Sequence, residues 1–458
     1  MKIIVCGAGQ VGSNIARHLA LENHDVTIVD QSETLVRQIS DAYDVNGIVG
    51  HGSHPDVLER AGVGDADLLI AVTLADETNM VACQVAHSLF DVPTKIARVR
   101  NQSYLDPLWS DLYGSGNLPI DVIISPEIEV AQAISRRLKV PGAFDAVTMA
   151  DGKVSLIGVR CNEETPILET PLWQLTELFP DLSLTIVGIW RDNRGIVASS
   201  DERLFAGDDV YFLADSQHVP RAMAAFGHEE QEARRVVVLG GGNIGLGLAK
   251  SVEETFGHVS MKIVEMNKER AAFVAQNLER SVVINGSALD QEILEEVNIE
   301  TAETVVAVTD DDETNILASL LAKRQGAQRA ITLINKTTYG PLTGTLGIDA
   351  VVSPRAITVS KILQHVRRGR IRSVHSISEG FGEVIEAEAL ETSSLIGTPI
   401  RDARLPDDVH VGALVRQGKV IVPRGDTVIR AGDLVIIFAA SGAVKKIEKL
   451  FAVKLEFF

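Results

Sequence analysis

Short apolar runs alternate with helical stretches from the first residues of the chain. In the first 125 positions the runs fall at 2–6 (KIIVC), 25–30 (DVTIVD), 45–49 (VNGIV), 67–73 (DLLIAVT), 95–99 (KIARV) and 121–125 (DVIIS). Continuous apolar runs of this length, separated by helices, mark strands buried on both faces, as in a parallel sheet. Segments 11–23 and 77–90 supply helices between them. The pattern changes over 143–216. Shorter strands at 154–160, 184–190 and 209–214 are broken by turn residues, which predicts a small α+β lobe with an antiparallel sheet. A helical connector, 126–142, separates the two parts and is expected to act as a pivot between them.

The whole pattern then repeats. Residues 3–12 (IIVCGAGQVG) parallel 236–245 (VVVLGGGNIG), and 71–80 (AVTLADETNM) parallel 307–316 (AVTDDDETNI), with seven of those ten positions identical. GSHPDVLERAG has a counterpart in GSALDQEILEEV, and Ser125-Pro126 in Ser353-Pro354. The connector is matched by 354–369, and AGDDVYFLA (206–214) by AGDLVIIFA (431–439). A tandem duplication follows, about 1–230 and 231–458, joined by the polar segment 227–235. The predicted architecture is α/β: two tandem Rossmann-like, doubly wound parallel-sheet domains, each followed by a small α+β lobe. Expected boundaries are 1–125, 143–227, 232–352 and 371–455.

Composition narrows the partners. A net charge of −19 repels phosphate backbones and anionic lipid, which argues against nucleic acid and against electrostatic attachment to a membrane. No stretch approaches the roughly 20 apolar residues a bilayer span needs, and the N-terminus reads as a first strand and not as a signal peptide. Cys6, Cys83 and Cys161 are far apart and share no ligand spacing with histidines, so they are expected to be buried free thiols.

Gly7, Gly9 and Gly12 form G-x-G-x-x-G at the turn from the first strand into the first helix. Gly7 permits the turn, Gly9 admits a pyrophosphate, and Gly12 lets the helix pack closely. The helix N-terminus offers free N–H groups to phosphate. Asp30, at the tip of the next strand, suits ribose hydroxyls and repels a 2′-phosphate, which favours NAD over NADP. Gly240, Gly242, Gly245 and Glu265 repeat the device. Arg98 ends the fifth strand beside the crevice, where a guanidinium pairs with phosphate; the aligned position in the second half is Leu333. Thr73 and Thr309 end the fourth strands, near the expected ligand. Asp76, Asn79, Asp312 and Asn315 fall at the starts of helices and are expected to cap them and stabilise the first-turn dipole, ahead of the alternative of contacting the ligand. His51 and His54 either line the adenine end or sit in a solvated loop. The basic stretches RRLK (136–139) and RRGRIR (367–372) either offset helix dipoles or dock an acidic partner. No catalytic constellation stands out: His218 and His365 lack a matching acid, and the Ser-Pro pairs lack a base.

KIIVCGAGQVG, the Asp30 strand end, GHGSHPDVLERAG and AVTLADETNMVACQVAHSLF together resemble the TrkA family, built of RCK (KTN) domains, over the full length. That resemblance implies a cytoplasmic, non-enzymatic regulatory subunit, peripheral on the inner face of the membrane. It implies binding of NAD(H), with ATP or ADP as alternative or second-site ligands. It also implies a TrkH- or TrkG-type potassium-translocating partner and a homo-oligomeric ring, a tetramer. Carried over, the first site comprises Gly7, Ala8, Gly9, Gln10, Val11, Asp30, Thr73, Leu74 and Arg98. The second comprises Gly240, Gly241, Gly242, Asn243, Ile244, Glu265, Thr309 and Asp310; Leu333 breaks the parallel. The alternatives are an NAD-dependent oxidoreductase and a nucleotide sensor for another ion transporter.

Overall fold

The computed structural model describes residues 1–114, 116–178, 182–344, 346–366, 371–377 and 381–451. The chain forms two compact units. The first holds Met1–Val130 together with Ser353–Val366; the second holds the remaining described residues.

In the first unit, strands β1 (Lys2–Cys6), β2 (Asp25–Asp30), β3 (Asn46–Val49), β4 (Leu68–Ala71), β5 (Thr94–Arg98) and β6 (Val122–Ile124) form one sheet in the order β3-β2-β1-β4-β5-β6. Every pairing is parallel. Successive side chains leave a strand on opposite faces. Ile3, Val5, Ile28 and Ile70 therefore enter one core with Ile15, Ala16 and Leu19 of helix Gln10–Leu21, while Ile4, Cys6, Val29 and Leu69 enter another with Met80, Cys83 and Ala86 of helix Asp76–Phe90. Burial on both faces is why these strands read as unbroken apolar runs. The order reverses beside β1, which places a crevice outside the carboxyl ends of β1 and β4.

The second connector is built into this first unit. Helix Pro354–Val366 sends Val359, Ile362, Leu363 and Val366 into the same core as Ile15 and Leu19. It thus covers the glycine-turn helix of the opposite half.

In the second unit, the first small lobe comprises β7 (Ala143–Met149), β8 (Val154–Arg160), β9 (Leu184–Arg191), β10 (Arg194–Val197) and β11 (Asp209–Asp215), in the antiparallel order β7-β8-β11-β9-β10. The second nucleotide domain comprises β12 (Arg235–Leu239), β13 (Ser260–Glu265), β14 (Val282–Asn285), β15 (Thr304–Ala307), β16 (Ala330–Leu333) and β17 (Ala350–Val352). They form a parallel sheet in the order β14-β13-β12-β15-β16-β17. The second small lobe comprises β18 (Ile371–Ile377), β19 (Gly382–Glu388), β20 (Val409–Arg416), β21 (Lys419–Ile421) and β22 (Leu434–Ala440), in the antiparallel order β18-β19-β22-β20-β21. Domain for domain, the two halves share their strand topology.

The repeated AGD motif has a structural cause. Asp208 and Asp433 are each 1% exposed. Arg191 grips Asp208 through Nε and Nη2, both at 2.8 Å, and Arg416 grips Asp433 in the same way at 2.8 and 2.7 Å. Such bidentate pairs fix the turn that precedes each last strand.

Within the second unit the small lobes share a core, in which Leu156, Val187, Tyr211 and Leu213 meet Val384, Ala413, Ile436 and Phe438. Gly412 permits the close approach, because a Cβ there would lie 2.3 Å from Leu213 Cδ1. A buried polar cluster lies beside that core. Asp145 accepts from Arg137 Nη2 at 2.8 Å and pairs with His375 Nε2 at 2.8 Å. Burial alone would raise the Asp145 pKa, but the His375 ring and the Arg137 guanidinium outweigh it and hold the carboxyl well below the usual carboxylate range. Arg329 donates to the carbonyls of Arg137 and Ala143, and burial lowers its pKa to about 10.

Within the basic stretch 136–139, Arg137 is buried and paired with Asp145, while Lys139 is exposed. Of RRGRIR, residues 367–370 lie outside the described residues, and Arg372 pairs with Glu388 at 3.1 Å. In the same unit Ser135, on helix Pro126–Leu138, accepts from Ser251 Oγ at 3.3 Å, and Ala131 Cβ lies 3.5 Å from where a Cβ at Gly247 would sit. Residues 131–138 thus rest on helix Asn243–Thr255, so each half lends its connector to the glycine-turn helix of the other.

Candidate functional site

The three glycines of each turn answer to different demands. Gly7 has φ +111°, and a Cβ there would lie 3.0 Å from Thr73 N. A Cβ on Gly12 would lie 1.8 Å from Gly7 O. The fold itself requires glycine at both positions. Gly9 differs: its φ of −66° and ψ of −175° suit any residue, and no atom lies within 4 Å of a built Cβ. Gly240, Gly245 and Gly242 repeat the three cases, with φ +116°, a Cβ 2.0 Å from Gly240 O, and open space respectively. Gly9 and Gly242 are N-caps whose helices receive no side-chain cap bond, so the first N–H groups face the crevice mouth. Gln10 and Asn243 are exposed beside them, Val11 and Ile244 half-buried.

The acids at the strand tips lie against these turns. Asp30 accepts from Ala8 N at 2.7 Å and Ser32 N at 2.8 Å; Glu265 accepts from Gly241 N and Asn267 N, both at 2.8 Å. A carboxylate retains further lone pairs for ribose hydroxyls. The longer acid faces the smaller residue. A Cβ at Gly241 would lie 3.0 Å from Glu265 Cβ, whereas Ala8 stands opposite the shorter Asp30.

Thr73 and Thr309 sit at the crevice but are already engaged. Asn79 Oδ1 accepts from Thr73 N at 2.8 Å and Oγ1 at 2.7 Å, and its Nδ2 donates to Thr73 O at 3.1 Å and Arg98 O at 2.9 Å. Asn315 makes the same four bonds to Thr309 and Leu333. Both asparagines are fully buried. Their expected role as caps is corrected: they tie the end of one strand to the next. Asp76 and Asp312 are not caps either, though both stand in the first turn of their helices, where a carboxylate offsets the dipole as expected. Asp76 accepts from Arg100 N and Asn101 N, and Asp312 from Asn335 N and Lys336 N; the N-cap positions are Ala75 and Asp311. Such an interior side chain reads as a cap in sequence because its partners lie one strand away. Asn79→Ala is expected to destabilise the first nucleotide domain by about 2 kcal/mol, and Asn315→Ala the second by a similar amount, as measured by urea denaturation.

Arg98 is 9% exposed, donates from Nη2 to Thr73 O at 2.8 Å, and has a buried Nε without a partner among the described residues. Burial, and next the charge of Arg100, lower its pKa. A buried guanidinium with an unused donor and no ion-paired carboxylate among the described residues suits an anion from the crevice. Leu333 occupies the matching place and is buried. Leu74, 87% exposed, and Asp310, also exposed, lie beside the threonines. His51 and His54 stack at 4.5 Å on the loop after β3, and His51 Nδ1 meets Ser53 Oγ at 2.9 Å.

One residue escaped the sequence reading. Arg270, on helix Lys268–Gln276, donates from Nε to Gly241 O at 2.8 Å and from Nη2 to Asn243 Oδ1 at 3.0 Å. Alignment of the helix after each acid-tipped strand would have exposed it, since Leu35 holds the corresponding place.

Burial raises the thiol pKa of Cys6 and Cys161 to about 12 and that of Cys83 further, so none is a nucleophile at neutral pH. No helix among the described residues is long and apolar enough to cross a membrane.

Comparison with known proteins agrees with this geometry. The family profile of the TrkA-N domain matches residues 3–126 and 236–354, and that of the TrkA-C domain matches 384–452. The chain is 53% identical to Trk system potassium uptake protein TrkA of Azorhizobium caulinodans and 42% identical to that of Halomonas elongata, in both cases over the full length of both chains. Among solved structures it resembles the GsuK RCK domain, with a TM-score of 0.61 at 16% identity, covering 98% of this chain and 94% of that one. It also resembles the GsuK channel bound to NAD, with a TM-score of 0.59 at 18% identity, covering 98% and 78%. At such identities these two matches speak to the fold.

Proposed function

Because the chain belongs to the TrkA family, we propose that it is the nucleotide-binding regulatory subunit of a Trk-type potassium uptake system, holding its ligand without transforming it. The observation that carries this is the pair Gly9 and Gly242. Glycine stands there although neither backbone geometry nor neighbouring protein atoms require it, so the open space is left for a ligand.

The nucleotide lies across each glycine turn. Its phosphates meet the helix N–H groups, and its adenosine ribose meets Asp30 or Glu265. Arg98 adds a cation toward the far end of the first site. NAD(H) is the ligand of that site, with ATP or ADP as alternatives or as second-site ligands. The subunit works as a homo-oligomeric ring, a tetramer, on the cytoplasmic face of a TrkH- or TrkG-type membrane partner. Ligand controls ion flow through linkage: it shifts the channel only by the difference in its affinity for two ring states. A coupling of about 1–3 kcal/mol corresponds to about 5–150-fold in the opening equilibrium. With each connector packed on the opposite half, movement of one nucleotide domain is felt by the helix that leads to the other half's small lobe.

Calorimetry with the full chain should give a heat of association with NADH, ATP or ADP, and reconstitution with the membrane partner should give nucleotide-dependent potassium flux. Flux indifferent to every nucleotide would refute the regulatory role. Steady consumption of NADH with a panel of carbonyl compounds would favour an oxidoreductase instead.

A further inference from the structure

The two nucleotide sites carry their cations on opposite flanks. In the first, the basic residue is Arg98 at the end of β5, and Leu35 holds the place on the β2 flank. In the second, Leu333 holds the β16 place, and Arg270 stands on the β13 flank. Lys268 also replaces Glu33, which pairs with Arg37 at 2.6 Å in the first half. The flank beside the acid is therefore cationic in one half and not in the other.

Building on the nucleotide function above, we propose that Arg270 is the phosphate-binding cation of the second site, and that this site selects an adenine mono- or diphosphate over a dinucleotide. Three features place it. Its guanidinium touches both Gly241 O and Asn243 Oδ1, so it lies along the phosphate turn. It rests 4.9 Å from the centre of the Phe273 ring, which orients it. No carboxylate among the described residues forms an ion pair with it, and Nη1 makes no hydrogen bond among them, which leaves charge and a donor for an anion.

Selectivity follows from where each cation lies. The acid that takes the ribose is on the strand to one side of the glycine turn, and Arg98 is two strands to the other side. The Arg98 guanidinium reaches back to Thr73 O at 2.8 Å, on the side of the turn away from that acid. A ligand reaching Arg98 must extend past the first phosphates, as a dinucleotide or a triphosphate does. A ligand held by Arg270 needs only phosphate close to its adenosine, and beyond it meets buried Leu333.

The test is calorimetry of the full chain with ADP and with NADH, using wild type, Arg270→Gln and Arg98→Gln. Glutamine keeps part of the stem over Phe273 and removes the charge. Arg270→Gln should weaken ADP binding about tenfold or more while leaving NADH affinity within about twofold, and Arg98→Gln should do the reverse. Unchanged thermal midpoints establish that the variants are folded; if Arg270→Gln melts early, Arg270→Lys, which keeps the charge, must retain ADP binding better than Arg270→Gln at a temperature where both are folded. ADP binding unchanged in Arg270→Gln, or both substitutions weakening the same ligand, overturns the assignment. A wild-type chain that binds neither ligand overturns the nucleotide function itself.

Discussion

The Gly9→Val substitution is expected to weaken nucleotide binding at the first site by about a hundredfold while leaving the thermal midpoint nearly unchanged. Gly12→Ala, a smaller change three residues away, is expected to destabilise the same domain by about 3 kcal/mol. The contrast follows from what each Cβ would meet. At position 9 the backbone is extended and open space surrounds the new side chain, so valine obstructs only a ligand. At position 12 the Cβ falls 1.8 Å from Gly7 O, and the helix must lift from the turn to clear it. Thermal unfolding and calorimetry on the two variants separate the effects. A Gly9→Val protein that binds NADH as wild type does would remove the reason for a ligand in the turn. Gly242 and Gly245 offer the same contrast in the second half.

Removing the Asp145 carboxylate is expected to destabilise the second unit strongly. Asp145→Ala leaves Arg137 buried without its anion, and Arg137 Nη1 already lacks a partner among the described residues. Breaking one side of a buried pair costs about 3–5 kcal/mol. The sign of the pH dependence is fixed by the same cluster. The folded pKa is depressed, so the stabilisation is complete above the ordinary carboxylate pKa and is lost as the solution is acidified toward the folded value. Wild type should therefore lose more stability than Asp145→Asn between about pH 5 and pH 3. Urea denaturation at both pH values measures the difference; parallel losses in the two proteins would show that the pair does not carry it.

Much of this architecture was legible along the chain. Strands buried on both faces become continuous apolar runs, so the parallel sheets announce themselves as KIIVC and DLLIAVT. Left-handed backbone and close helix contact at Gly7 and Gly12 admit only one residue type, so the turns are visible as well. The small lobes were legible as antiparallel because tight turns join β7 to β8 and β9 to β10, although β7, β8, β9 and β11 are longer than the parallel strands of the first sheet and not shorter as expected. What sequence could not carry is the choice between near-identical partners. Helix Pro354–Val366 presents an apolar face that fits a glycine-turn helix, and the chain has two of these; only packing decides that it takes Gln10–Leu21. Asn79 looked like a cap because its partners, Thr73 and Arg98, are set by strand pairing and not by neighbours in the chain. Arg270 was hidden by the ordinariness of a basic residue on an exposed helix.

The crossed connectors bear on how such a chain arose and what can be done with it. Neither half is self-sufficient: cut away residues 231–458 and the helix 10–21 surface that Ile362 and Leu363 shield is left bare to water. Two separate copies of a single ancestral half would mend that defect by trading the same helix, so the tandem chain is a tethered version of such a pair. Joined copies need not stay alike, and here one half carries Arg98 where the other carries Leu333.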